Sequence, residues 1–172
     1  MSRQVLYVAA PLRPTEEEIA DVEFCERGER TPGPRARAAV ALRVNLDRAM
    51  RWLSWLRRSF PEATFIAPWI ASVLAGADDT DPAQREAGFT DDCAVIERCD
   101  GIVLCGRRIS EGMRREMEHG LRRGLDDSCE PHIQTFKVYD VTQTLLALPH
   151  PEAAGAPHGR AFQVWYDQVC RR

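Results

Sequence analysis

Two acidic residues, Asp92 and Glu116, are spaced so that a carboxylate pair could act on one bound molecule. Between them lies a short apolar run, Ile102, Val103 and Leu104, bounded by Asp100-Gly101 and by Gly106. Such a run is too short for a helix and suits a strand covered on both faces, as in a parallel sheet. Ser110 reads as the N-cap of a following helix whose Met113, Met117 and Leu121 share one face. Glu116 sits beside that apolar stripe, less than two turns in. Asp92 falls on the helix before the strand, eight residues ahead of Asp100, which puts it about two turns below that helix's C-terminal end. Two carboxyl groups facing one crevice suit work at a glycosidic carbon. One attacks C1′ or stabilises its oxocarbenium character, and the other protonates or holds the departing base. With 26 acidic residues in the chain, spacing alone also allows an ordinary solvated pair. The loop and helix N-terminus at Ser110 form a natural crevice for an anionic or sugar ligand.

The elements that must position these residues can be read in order. The run VLYVAA forms a first strand ending at Pro11, which donates no ladder hydrogen bond. Ala9 and Ala10 are small and let a ligand approach the backbone at the strand's C-terminal edge. Residues 12–36 are rich in Pro, Glu and Arg and read as a long loop, a lid or disorder, with a short helical turn from Glu16 to Val22. A helix spans about Arg37 to Phe60, with Leu42, Leu46, Ala49, Met50, Leu53 and Leu56 at spacings of three and four. Asn45 lies inside it, an exposed polar residue or one bonded to a nearby loop. Ala63 to Ala67 is the second strand, stopped by Pro68-Trp69. An apolar stretch, Ile70 to Leu74, and a polar loop lead to a helix from about Pro82 or Arg85 through Arg98. A fourth strand is placed at Gln134 to Tyr139, then short helices at Val141 to Leu148 and Ala161 to Val169. Strand ends at Ala10, Ala67 and Cys105 therefore converge on one edge of the sheet, where ligands bind in doubly wound folds. The fold class is α/β: a single-domain, doubly wound, flavodoxin- or Rossmann-like parallel sheet of about four or five strands. Its domain covers residues 1–149, with a C-terminal loop and helix at 150–172.

Composition narrows the function further. At 172 residues and a net charge of −3 the chain has no basic field for nucleic acid. Lys137 is the one lysine among 23 cationic residues, a bias towards arginine rather than a set of anion contacts. Six cysteines contain no C-x-x-C pair and read as buried reduced thiols of a cytoplasmic protein. No secretory signal or bilayer-spanning segment is apparent. His119, one turn from Glu116, lacks the further ligands a metal site needs and reads as a surface histidine.

Residues Ile102 to Gly120, with SEGMRRE at 110–116, resemble the nucleoside 2-deoxyribosyltransferase superfamily, including its deoxynucleoside 5′-monophosphate N-glycosidases. Ser110, Gly112 and Glu116 match the family's loop-and-helix motif in type and spacing. YVAAP at 7–11 is similar to its first strand and turn, and Asn45 with Ala49 to an N-x-x-x-A element. Asp92 falls where the glycosidase branch carries a catalytic Asp. Pro68-Trp69, the block from Arg85 to Gly88, and Cys99 through Glu116 resemble a bacterial and phage subset of unassigned activity. The likeness covers roughly residues 4–125. It departs from the family at Trp69, where histidine is expected, at the long 12–36 insertion, and at Gly120, where Ala is common.

The resemblance implies Glu116 as nucleophile or oxocarbenium stabiliser and Asp92 as proton donor or base-orienting acid. It places Tyr7, Ala9, Ala10, Asn45, Trp69, Ser110, Gly112 and Met113 around the substrate. Ser110 and the Gly112 N–H would hold a 5′-hydroxyl or 5′-phosphate. Serine suits phosphate better than the aspartate of the transferases, because a second anion would repel it. Arg107 and Arg108 either assist there or are solvated loop charges. The expected activity is cleavage or transfer of the N-glycosidic bond of a (deoxy)nucleoside or its 5′-monophosphate, with no metal or other cofactor. The expected partners are a small-molecule nucleoside or nucleotide and further copies of the chain, with no nucleic acid or membrane. Trp52, Trp55, Trp165 and Tyr166 are candidate contacts between copies. The alternatives are a non-catalytic nucleotide-binding or sensor module of the same fold and an NAD-consuming glycohydrolase.

Overall fold

Among the described residues four strands, β1 (Gln4–Ala9), β2 (Ala63–Ile66), β3 (Gly101–Leu104) and β4 (Lys137–Asp140), form one all-parallel sheet in the order β2-β1-β3-β4. The computed structural model describes residues 3–22, 33–123 and 136–141. Among these described residues five helices flank the sheet: α1 (Glu16–Ala20), α2 (Pro34–Ser59), α3 (Pro68–Leu74), α4 (Pro82–Ile96) and α5 (Glu111–Arg123). The arrangement is α/β and Rossmann-like. From β1 the chain travels through α2 to β2 on one side, then returns through α3 and α4 to β3 on the other. The order therefore reverses between β1 and β3, the kind of crevice that α/β proteins use for ligands. Tyr7 pairs with both Ile66 and Ile102, and Ala9 with Leu104, so the three strands finish together near Ala10, Ala67 and Cys105.

Alternation along β1 builds two separate layers. Leu6 and Val8 pack with Trp52, Leu56, Phe60 and Phe65 under α2. Tyr7 and Ala9 pack with Ile96, Ile102, Leu104 and Met113 under α4 and α5. Trp52 is 1% exposed and meets Trp55 edge-on at 5.7 Å. It is core, not a surface contact between copies, because it lies on the stripe that α2 turns to the sheet. Trp55 is half-buried beside it.

Several boundaries differ from the sequence reading for local reasons. α2 begins at Pro34, three residues earlier than expected, with proline in the first turn, where its missing N–H costs nothing. Ile70 to Leu74 is helical, continuing from Pro68. Asp81 caps α4, its carboxylate accepting from Ala83 N at 2.8 Å. α4 ends at Ile96, so Asp92 lies about one turn from the end rather than two. The chain must leave the helix there to join the sheet. Asp100 N donates to Val5 O at 2.8 Å, and the Asp100 carboxylate accepts from Val5 N at 2.7 Å. β4 starts at Lys137, later than the expected Gln134. At the sheet's C-terminal edge Gly106 has φ of 99°, and a Cβ there would stand 2.6 Å from Pro11 Cδ. Only glycine lets the exits of β1 and β3 touch in this way.

Cys93, Cys99 and Cys105 are buried, and no two of them form a disulfide. The other three cysteines, the expected helices after Val141, the 150–172 segment, Trp165 and Tyr166 lie outside the described residues. Among the described residues no helix is long and apolar enough to cross a membrane.

Candidate active site

Tyr7 stands on β1 with its ring on the α4/α5 side of the sheet, fully buried. Its hydroxyl donates to Glu116 Oε1 at 3.2 Å and is hydrogen-bonded to Asp92 as well. One phenol thus joins carboxyls from two helices that flank the same strand. Both acids line a cavity of about 410 Å³ at the C-terminal edge of the sheet, between α3, α4 and α5.

Burial governs the charge state of this group. Desolvation, then the neighbouring Asp92 charge, pushes Glu116 up to about 8, against the opposing pull of the Tyr7 bond. Desolvation raises Asp92 to about 6; the Tyr7 bond lowers it and Asp91 adds to the rise. Around neutral pH the pair therefore holds one proton between its members. Burial and the two adjacent carboxylates lift the Tyr7 phenol well above its ordinary value, so it stays a donor. Cys93, next to Asp92, is driven up to about 11 by burial and by the Glu116 and Asp92 charges and remains a thiol.

The other expected residues separate into those at the cavity and those away from it. Ser110 lines it and caps α5, its Oγ accepting from Met113 N at 3.3 Å. Gly112 lines it too, and an added Cβ would approach only Ser110 Oγ, at 3.9 Å. Met113 reaches the cavity but is 2% exposed and belongs chiefly to the core. Ala10 borders the cavity, whereas Ala9 is buried in the layer beneath. Trp69 shows an apolar side to the cavity, because its indole Nε1 is committed to Val8 O at 2.9 Å.

Asn45 does not reach this cavity. Its Nδ2 donates to Leu12 O and to Glu18 Oε2, each at 3.2 Å, while Oδ1 accepts from Arg48 at 3.1 Å. It is the helix-to-loop bond, placed so because α2 covers the opposite face of the sheet from α4 and α5.

Some cavity residues escaped the sequence reading. Residues 12–15 form part of the rim. Arg13 reaches across to the loop after α3, donating to Asp79 O at 2.7 Å with its Nε 3.5 Å from the Asp79 carboxylate. Of the two loop arginines already singled out, Arg108 lines the cavity and holds the rim from inside, bonded to Arg13 O and 3.5 Å from Glu18. Burial disfavours ionised Glu18, but bonds from Thr15 N, Asn45 and Arg108 outweigh it and hold the acid below its usual range. Thr15 and Glu18 make a full capping box on α1, a signature present in the sequence as T-x-x-E. Arg107 is exposed and lies outside the cavity lining. His119 pairs with Glu97 at 3.2 Å. Phe89 and Arg115 on the α4/α5 side of the lining carried no sequence signal.

No curated protein and no solved structure matches this chain. A family model described as a domain of unknown function, DUF7768, matches residues 45–127, the span that carries both Asp92 and Glu116.

Proposed function

We propose that this protein cleaves or transfers the N-glycosidic bond of a (deoxy)nucleoside or its 5′-monophosphate, as a nucleoside 2-deoxyribosyltransferase-like enzyme. We also read its sheet as doubly wound, with α2 on one face and α3 to α5 on the other. The observation that carries the functional reading is the meeting of Asp92 and Glu116 on one Tyr7 hydroxyl, in the wall of a cavity.

The chemistry needs an ionised nucleophile and a protonated partner. The shared proton therefore has to reside on Asp92 as the bond breaks. Tyr7 contacts both acids, and its hydroxyl favours whichever of them is ionised. Positive charge developing at C1′ then favours ionised Glu116. A Glu116 carboxylate oxygen bonds to C1′ as the C1′–N bond breaks, and Asp92 delivers its proton to the departing base. Water or a second base releases the sugar in the return step. Ser110, the free N–H groups at the start of α5 and Arg108 would receive the 5′-phosphate. We place this activity in the cytoplasm and in a homo-oligomer, on the cysteine usage and the resemblance.

Incubation with deoxynucleosides and their 5′-monophosphates, followed by chromatography for free base, tests the reading. Glu116→Gln should lower base release by about a thousandfold or more. Unchanged turnover rejects the assignment. Nucleotide binding by the native protein without base release favours the binding-module alternative instead.

A further inference from the structure

The mechanism leaves one built feature of the cavity unused. Arg115, the residue before Glu116, lays its guanidinium over the Phe89 ring, 3.9 Å from the ring centre. Its Nη2 is 3.1 Å from each carboxylate oxygen of Glu86. Phe89 and Arg115 both line the cavity, and so do Trp69 and Val73 on α3. The cation over the ring and the anion behind it fix the orientation of a half-buried aromatic that would otherwise rotate.

We propose that Phe89 is the platform on which the nucleobase stacks, facing the Trp69–Val73 side of the cavity, and that Arg115 is its positioning residue. This rests on the glycosidic reading for its choice of ligand. Phe89 is three residues before Asp92, so both lie on one side of α4 and the ring sits one turn above the acid. A base that takes its proton from Asp92 has to lie along that side. Gly112 is one turn from Glu116 on α5, which directs the sugar and its 5′-substituent to the other helix. The two helices thereby divide the substrate. α4 receives the planar apolar part and α5 receives the polar part. Stacking accepts any base face, so the platform takes purines and pyrimidines alike.

The test is equilibrium binding of the two halves of a nucleotide by the full chain. The probes are adenine and cytosine for one half and 2-deoxyribose 5-phosphate for the other. Phe89→Ala should weaken both bases about tenfold and leave the sugar phosphate unchanged. Phe89→Trp should restore base binding, and Arg115→Met should give a smaller loss confined to the bases. Failure of the native protein to bind either base overturns the proposal. So does an equal loss for bases and sugar phosphate, which marks a merely structural residue, or no loss in either Phe89→Ala or Arg115→Met. Absence of base release by the native protein would sink the glycosidic reading while leaving base binding to be scored independently.

Discussion

Leu6 and Val8 point from β1 into the layer beneath α2, whereas Tyr7 and Ala9 point into the layer beneath α4 and α5. The first layer is closed by Trp52, Leu56, Phe60 and Phe65, all 2% exposed or less. The second contains a phenol, two carboxyls and a cavity. The same strand therefore supplies a closed core with one set of alternate residues and the wall of the proposed active site with the other. Low dielectric serves both ends. Under α2 it comes from apolar burial, and under α4 and α5 it raises both acids towards neutral pH.

If that separation is real, damage to one layer should spare the other's property. The largest effect is expected from Trp52→Ala, which should cost about 3–5 kcal/mol of folding stability in denaturant titration. Base release per folded molecule should not change. A fall in turnover at temperatures where the variant is fully folded would show the layers to be coupled. Tyr7→Phe should do the reverse, leaving stability nearly intact and lowering turnover about a hundredfold. The profile of kcat/KM against pH should be bell-shaped, with limbs near 6 and near 8, because one proton must be present on the pair. Since the Tyr7 bond lowers both acids, its loss should move both limbs to higher pH.

The last effect is thermal. Glu116 binds its proton more tightly folded (about 8) than at its ordinary 4.5. Folded protein thus keeps a proton that unfolded chain has released, and stability declines as pH rises through that window. Glu116→Gln removes the share of the decline due to Glu116 and leaves that of Asp92, which lies between its ordinary 3.8 and about 6. Its Tm should match the native protein below pH 4.5 and exceed it above pH 8. An equal Tm at high pH would mean that Glu116 is well solvated.

The sheet and its layers were legible because their signals are local. Alternation in β1, the prolines at 11 and 68, and the short apolar β3 between two helical patterns fix the order of elements. The meeting of Asp92 and Glu116 was legible for the same reason, since helices on either side of one strand open at the same edge. What the sequence concealed depends on contacts between distant segments. That the Tyr7 hydroxyl meets two acids is set by where α4 and α5 dock, not by anything beside it in β1. Asn45 takes its partners from where residues 12–18 settle, and nothing near it in sequence announces Leu12 or Glu18. Asp100 reads as a turn residue, yet it fastens β3 to Val5. Phe89 and Arg115 are 26 positions apart and acquire meaning only as a stack.

Both acids hang from β3, one on the helix that enters it and one on the helix that leaves. Any drift of that strand carries the two together, and the distance between them is insulated from the rest of the chain. The rim, by contrast, is assembled from residues after β1 and after α3, tied by Arg13 to Asp79. Its length and sidedness can be rewritten without disturbing the centre. Such a layout lets a lineage change what it accepts while inheriting how it reacts.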